Sequence, residues 1–184
     1  MKKILVTLST LLCAATAAAA PFKLTSTDFK QGEALPKKDE FNSFGCNGDN
    51  QSPALEWSNP PPGTKSFALL LHDPDAPTGS GWWHWVVYNI PADAKSLPAG
   101  AGKADNSALP KGAVQGNTDF GSPGYGGPCP PPGSGVHHYN FTLYALKVEK
   151  LDLPANATAA FVAFNLNANS LGQAKLTGTY TRKK

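Results

Sequence analysis

Two segments of the sequence concentrate side chains that could bind or transform a small molecule. The first runs from Asp73 to Trp85 (DPDAPTGSGWWHW) and follows directly on an apolar run. Its prolines fix the backbone angle φ, so the pattern predicts that Asp73 and Asp75 are held on a stiff turn close to aromatic side chains and His84. Such a group is typical of a binding or acid–base site. Aspartate and proline are equally frequent in ordinary turns, and tryptophans in ordinary cores, so a structural role stays open.

The second segment runs from Gly124 to Tyr139 (GYGGPCPPPGSGVHHY) and ends where another strong strand pattern begins. Loops rich in glycine and proline let backbone amides approach a ligand closely. His137 and Tyr139 add hydrogen-bond donors at the end of the loop. We expect the two segments to line one pocket.

The sequence carries no standard catalytic or metal-binding motif. Asp73 and Asp75 fit the start of a calcium loop, but His84 stands where the bidentate glutamate is required. Neither Ser80 nor Ser134 lies in a GxSxG elbow, and no HExxH, P-loop or dinucleotide pattern occurs. The sequence therefore predicts no metal and no cofactor.

Short runs of β-branched and aromatic residues, separated by glycine, proline, asparagine and aspartate, indicate a mainly β protein. The clearest strands are Ser66–His72, Trp83–Ile90 and Tyr139–Leu146, and Lys175–Tyr180 is predicted to be a final strand. The stretch from Pro91 to Phe120 is predicted to be a long excursion over the surface.

One helix is predicted near the C-terminus, over Ala157–Leu171. Asn156 is the expected N-cap, and Gly172 the expected stop. Its larger apolar residues share one face by spacing: Phe161, Phe164, Ala168 and Leu171.

Length and composition indicate one loop-rich globular domain. The chain has 184 residues, including 18 glycines and 17 prolines, and its 41% hydrophobic residues are too many for disorder. The formal net charge is only +3, and two of the basic residues, Lys2 and Lys3, belong to a segment predicted to be removed. This charge gives no basis for a nucleic-acid partner, which requires a concentrated basic face.

The N-terminus has the pattern of a secretory signal. A short positive region, Met1–Lys3, precedes the apolar stretch Ile4–Leu12 and the small residues of Ala14–Ala20. The apolar stretch is well short of the roughly 20 residues that span a bilayer. We predict that residues 1–19 are a cleaved signal peptide, that residues 20–184 form the mature domain without a transmembrane anchor, and that the protein is periplasmic or secreted.

Export determines how the three cysteines are interpreted. Cys13 leaves with the signal peptide, so Cys46 and Cys129 remain, and two thiols in an oxidising compartment usually pair. We predict a Cys46–Cys129 disulfide.

The motifs resemble those of one protein family. DPDAP, GSGWWHWVVYNIP and GYGGPCPPPGSGVHHYNFTLYAL, in this order, closely resemble the phosphatidylethanolamine-binding protein (PEBP) family, also called Raf kinase inhibitor-like proteins, in its bacterial YbhB/YbcL-like branch. GCNGDN and NTDFG extend the match over essentially the whole mature chain. The resemblance implies a large central antiparallel sheet packed against a smaller sheet, with a helix near the C-terminus.

The resemblance also implies a small anion-accepting pocket. Its implied lining is Asp73, Asp75, His84, Pro130, Pro131, His137 and Tyr139. Two ionised aspartates would repel a bare phosphate, so we expect His84, His137 and Tyr139 to hold the anion. A zwitterion such as phosphoethanolamine would place its ammonium against a carboxylate. Alternatively, an aspartate holds a histidine in its donor tautomer and raises its pKa.

We therefore expect an exported, non-enzymatic binding protein for small phosphorylated or zwitterionic groups such as phospholipid headgroups. The competing hypotheses are a protein-interaction module that inhibits or modulates a kinase or protease, and an enzyme that uses an aspartate and a histidine as acid and base. His138 stands where eukaryotic relatives commonly have arginine, and the TGSG of residues 78–81 replaces a longer charged stretch. Kinase recognition is therefore not transferred to this chain.

Overall fold

The computed structural model describes residues 20–154 and 156–184. The predicted signal peptide, residues 1–19, lies outside the described residues. The described residues form eight strands, a short 3₁₀ helix (Lys37–Asp39) and one α-helix. The strands and the α-helix are β1 (Lys23–Ser26), β2 (Leu55–Ser58), β3 (Ser66–Asp73), β4 (Trp82–Pro91), β5 (Ser96–Leu97), β6 (Val114–Gln115), β7 (His137–Leu146), α1 (Ala159–Asn169) and β8 (Ser170–Tyr180).

The strands form two antiparallel sheets. The large sheet has the order β6-β4-β3-β7-β8, and the small sheet the order β1-β2-β5. Strand β3 is central and pairs with both neighbours, so that Leu69 lies opposite Val87 of β4 and Leu143 of β7. The predicted mainly β fold, with a large central sheet, a smaller sheet and a C-terminal helix, is confirmed.

Alternation along β3 divides its side chains between two cores. Successive side chains of a strand point to opposite faces. Leu69 packs towards the small sheet in a cluster with Leu55 of β2, whereas Leu70 packs on the opposite face with Val162 of α1. Burial on both faces explains why the sequence of β3 is an almost unbroken apolar run. The large sheet thus lies between the small sheet and the helix.

The predicted helix exists, but its predicted ends and cap are wrong. It spans Ala159–Asn169, and its N-cap is Thr158, whose side chain accepts a hydrogen bond from the backbone N–H of Phe161. Beyond Asn169 the chain enters β8 directly, because Ser170 already pairs with Leu146. No helix of the described ranges is long and apolar enough to cross a membrane.

The predicted apolar face of this helix points to solvent. Phe161 and Phe164 are 46% and 71% exposed. The side chains that contact the sheet are smaller or aliphatic: Ala159, Val162 and Leu166. Since the helix packs on a sheet already filled by large residues, the smaller face fits closer to it.

The predicted surface excursion from Pro91 to Phe120 is partly integrated into the sheets. It contributes β5 to the small sheet and β6 to the edge of the large sheet. Leu97 and Ala101 are fully buried in the core beneath it. The two-residue strands are too short to produce a sequence period, which is why this segment was predicted as a loop.

Candidate functional site

The ends of three neighbouring strands, β3, β4 and β7, meet at one end of the large sheet. Strand β3 ends at Asp73, which pairs with Trp82 at the start of β4, and β7 begins beside them at His137. Antiparallel pairing brings the end of the central strand next to the beginnings of both neighbours. A cavity of about 210 Å³ opens at this end of the sheet. Its lining residues are Phe44, Asp73, Ala76, Pro77, Thr78, Trp82, His84, Phe120, Cys129, Pro130, Pro131, His137 and Tyr139.

Six of the seven residues predicted to form the site line this cavity. They are Asp73, His84, Pro130, Pro131, His137 and Tyr139. The seventh, Asp75, is not among the lining residues. Its carboxylate accepts hydrogen bonds from the backbone N–H and the ring Nδ1 of His138, both at 2.8 Å, at the exposed side of the turn. Asp75 therefore fixes the turn to the start of β7.

An irregularity in strand pairing directs His84 into the cavity. Trp83 pairs with His72 and Trp85 with Leu71, which leaves His84 as an extra residue between them. A bulge of this kind re-aims a side chain and is common beside functional sites. The His84 ring packs edge-on against the Tyr139 ring, with the ring centroids 5.1 Å apart. Tyr139 belongs to the same core cluster as Trp85.

His84 is a neutral acceptor rather than the expected donor. Its Nδ1 donates to the carbonyl oxygen of Gly126 at 2.7 Å. Burial lowers the pKa of His84 to about 4, since the charged ring is deprived of water. At neutral pH, Nε2 of His84 therefore carries a lone pair.

His137 is held between two protein partners. Its Nδ1 donates to Oδ2 of Asp73 at 2.7 Å, and its Nε2 lies 2.9 Å from Oγ of Ser134. Both side chains of the Asp73–His137 pair are almost completely buried. With both ring nitrogens used in this way, His137 orients Asp73 instead of presenting a free donor to the cavity.

Two buried donors at the cavity have no partner. The hydroxyl of Tyr139 and the indole Nε1 of Trp82 make no hydrogen bond within the described residues. Burial raises the pKa of the Tyr139 hydroxyl above its ordinary value, and so does the carboxylate of Asp73, which lies close to the hydroxyl but outside hydrogen-bonding geometry, so the hydroxyl stays protonated. Unpaired buried polar atoms are rare in folded proteins and require an explanation.

The disulfide predicted from the sequence closes one side of the cavity. Cys46 and Cys129 are bonded, with their Cα atoms 6.0 Å apart. Arg182 bridges the same two segments, because its guanidinium donates to the carbonyl oxygens of Pro130 at 3.2 Å and Gly45 at 2.8 Å. The C-terminal end of the chain thereby fixes the proline loop against the segment around Cys46.

Phe44 and Phe120, which are not among the residues predicted to form the site, form the remaining wall, and Phe41 packs behind them. Phe41, Phe44 and Phe120 contact one another, with ring centroids 4.6–6.1 Å apart. Gly126 makes the packing of Phe120 possible, because a Cβ there would overlap the Phe120 ring. This glycine therefore accommodates an aromatic ring, whereas glycines of the loop were expected to admit a ligand. Phe41 and Phe44 lie in one loop and Phe120 in another, so no local period joins the three phenylalanines.

The described residues contain no group of three or more histidine, cysteine, aspartate and glutamate side chains that could hold a metal ion. The lining of the cavity also contains no lysine and no arginine.

Comparison with known proteins agrees with the fold. The sequence profile described as "Phosphatidylethanolamine-binding protein" matches residues 25–181. The chain belongs to the phosphatidylethanolamine-binding protein family. YbcL of Escherichia coli K12 is 50% identical over 183 residues, which cover 100% of both proteins. The crystal structure of E. coli YbcL superposes with a TM-score of 0.87 at 52% identity, covering 89% of this chain and 100% of that one.

Other members of the phosphatidylethanolamine-binding protein family are also similar. YbhB of E. coli K12 is 48% identical over 159 residues, which cover 86% of this chain and 99% of YbhB. A relative from Mycobacterium tuberculosis H37Rv that is named as a lipoprotein, LppC, is 39% identical over 163 residues, covering 89% of this chain and 74% of LppC. The three relatives match the described domain along most of its length.

Proposed function

We propose that this protein is an exported, non-enzymatic binding protein whose cavity takes a monoanionic or zwitterionic phosphate group such as a phospholipid headgroup. The observation that carries the proposal is the pair of unpartnered donors, Tyr139 Oη and Trp82 Nε1, in one small cavity. Phosphate oxygens accept such hydrogen bonds, and bonds to a charged acceptor are the stronger kind.

The other polar groups of the cavity define the charge of the ligand. The lining has no lysine and no arginine, and the carboxylate of Asp73 would repel a dianion. Asp73 and the Nε2 lone pair of His84 instead accept a proton-bearing group. That group is the P–O–H of a monoanionic phosphate or the ammonium of a zwitterion.

Export is supported by three observations. The N-terminal sequence has the pattern of a secretory signal, the two cysteines of the mature chain are bonded, and a relative is named as a lipoprotein. Disulfides persist in oxidising compartments such as the periplasm.

Tyr139→Phe and Trp82→Phe test the binding site, because each removes one unpartnered donor and keeps an aromatic ring. We expect each variant to bind phosphoethanolamine about tenfold to a hundredfold more weakly in calorimetry, since a hydrogen bond to a charged group is worth about 1.5–3 kcal/mol. Trp57→Phe and Tyr144→Phe are the matched controls. Trp57 Nε1 is also buried without a partner, and Tyr144 is also buried, but neither lines the cavity. Equal affinities in all four variants would refute the site.

The charge of the ligand is tested with methyl phosphate and dimethyl phosphate. A phosphomonoester changes from dianion to monoanion near pH 6, whereas a diester is a monoanion throughout. His84, with its pKa of about 4, stays neutral between pH 8 and 5.5. Methyl phosphate should therefore bind more tightly as the pH falls through this range, while the affinity for dimethyl phosphate stays constant. Tighter binding of methyl phosphate at pH 8 would show that the cavity prefers a dianion.

One observation favours a hydrolase as the second candidate. Asp73, His137 and Ser134 are hydrogen-bonded in the order of a catalytic triad. However, Oγ of Ser134 also lies 2.8 Å from the carbonyl oxygen of Pro131 and donates its proton there. The hydroxyl is then not activated by the ring. We expect no labelling of Ser134 by a fluorophosphonate probe in mass spectrometry. Labelling that disappears in His137→Ala would establish the hydrolase instead.

A further inference from the structure

A second, larger cavity adjoins the phosphate cavity. Its volume is about 710 Å³, compared with about 210 Å³ for the first. The rings of Phe44 and Phe120 line both cavities. The two rings are nearly parallel, with an interplanar angle of 21° and centroids 6.1 Å apart. A ligand with two parts can therefore occupy both cavities on either side of this aromatic wall.

Phe44 is held at this wall in an unfavourable backbone conformation. Its φ is +56°, in the left-handed region, and its side chain is 69% exposed. The other non-glycine residues with positive φ among the described residues are all asparagines, which tolerate this region. A bulky residue with this φ is an outlier, and such strain concentrates at ligand sites. The position of the Phe44 ring is thus maintained at a cost to the fold.

Polar side chains of the second cavity fall into two groups. Some build the cavity: Ser52 accepts a hydrogen bond from the Gly102 N–H at 2.9 Å, and Thr118 donates to the Ser122 carbonyl oxygen at 2.8 Å. Others make no side-chain hydrogen bond within the described residues. These are Asn42, Asp49, Gln51, Lys103 and Ser122, all exposed except the half-buried Gln51, so a ligand that covers them must replace their water.

The side chains without hydrogen bonds determine which class of ligand the second cavity can bind. An alkyl chain would bury their amides and charges without hydrogen bonds, which is unfavourable. A second phosphate would be attracted to Lys103 but repelled by Asp49. A neutral sugar ring suits both the aromatic rings and the polar side chains of this cavity. Its C–H faces pack on the rings, while its hydroxyl groups donate hydrogen bonds to the polar side chains and accept hydrogen bonds from them.

We propose that the second cavity is a subsite for the sugar part of a ligand whose phosphate group occupies the first cavity. The proposal rests on the proposed phosphate site and adds the class of the group esterified to that phosphate. Asp49 and Gln51 bind hydroxyl groups, and Phe44 and Phe120 form the apolar platform.

Calorimetry at pH 5.5, where phosphomonoesters are mainly monoanions, tests the subsite with three such esters in the mature, oxidised protein. Glucose 1-phosphate should bind at least tenfold more tightly than methyl phosphate, and hexyl phosphate should show no such gain. Equal affinities for glucose 1-phosphate and methyl phosphate would overturn the sugar subsite and leave the phosphate site standing. A gain for hexyl phosphate alone would mean that the cavity takes an acyl chain. Absence of binding by all three probes would overturn both the phosphate site and the subsite.

Two variants test which residues cause the tighter binding of glucose 1-phosphate. Asp49→Ala combined with Gln51→Ala should abolish the preference for glucose 1-phosphate and leave the affinity for methyl phosphate unchanged, because neither residue lines the first cavity. Phe44→Asn keeps a residue suited to positive φ and removes the ring. This variant should lose the preference for glucose 1-phosphate over methyl phosphate, and the midpoint temperature of its thermal unfolding should not fall. A preference that survives in both variants would contradict the proposal.

Discussion

At the scale of single residues, hydrogen-bond partners decide the role of each titratable group. His84 and His137 are both buried, yet the first has a free acceptor nitrogen and the second has both nitrogens occupied. Burial also explains Asp39, which is fully buried on the 3₁₀ helix with neither carboxylate oxygen hydrogen-bonded. Burial raises the pKa of Asp39 from 3.8 to about 7.

This shift predicts a pH dependence of stability. Between pH 3.8 and 7 the folded protein retains a proton on Asp39 that the unfolded chain has lost, so this group lowers the free energy of unfolding as the pH rises. Asp39→Asn removes the titration. Relative to the parent protein, the variant should gain on the order of a few kcal/mol between pH 4 and 8 in urea unfolding. A difference that is the same at every pH would contradict the assignment, since the lost carboxylate would then not titrate in this range.

At the scale of elements, the helix shows where local sequence signals compete. Asn156 and Thr158 are both good N-caps, and the sequence alone favoured the first. Tertiary packing selects Thr158, because the turn that buries Ala159 and Val162 against the sheet begins there. The predicted strands Ser66–His72, Trp83–Ile90 and Tyr139–Leu146 match β3, β4 and β7 to within two residues at each end, because each contains a run of apolar, aromatic or β-branched residues.

Substitution of each cap distinguishes the two assignments. Thr158→Ala removes the acceptor for the Phe161 N–H and should lower the free energy of unfolding by about 1 kcal/mol. Asn156→Ala is the matched control and should change it by less than about 0.5 kcal/mol, as an exposed substitution does. Urea unfolding of both variants measures the difference. A larger loss in Asn156→Ala would indicate that the helix begins earlier in solution.

At the scale of the whole molecule, the disulfide connects regions that are distant in sequence. Cys46 belongs to the loop that carries Phe44, and Cys129 to the loop that carries Pro130, and the two cysteines are 83 positions apart. Both loops line the smaller cavity. The same bond therefore stabilises the fold and fixes two walls of the site relative to each other.

Cys46→Ser combined with Cys129→Ser should lower the free energy of unfolding by about 2–5 kcal/mol, since the unfolded chain loses its constraint. The folded variant should also bind phosphoethanolamine more weakly, because its walls are less fixed. Urea unfolding and calorimetry measure the two effects. Arg182→Ala serves as a comparison, as it removes only the hydrogen bonds between the same loops. Unchanged stability in the double variant would show that packing alone holds the loops together.

The sequence by itself determined the β class and three of the long strands, because these depend on local period. The cysteine pair followed from residue type and the predicted export, and six residues that line the cavity were implied by the resemblance to the family. The sequence placed Asp75 beside Asp73, but only the folded turn shows that Asp75 pairs with His138. The acceptor role of His84 follows from a bulge and a carbonyl oxygen 42 positions away, which no local pattern encodes. The wall of Phe44 and Phe120 joins loops far apart in the chain, so only the tertiary structure decided that the site has two cavities.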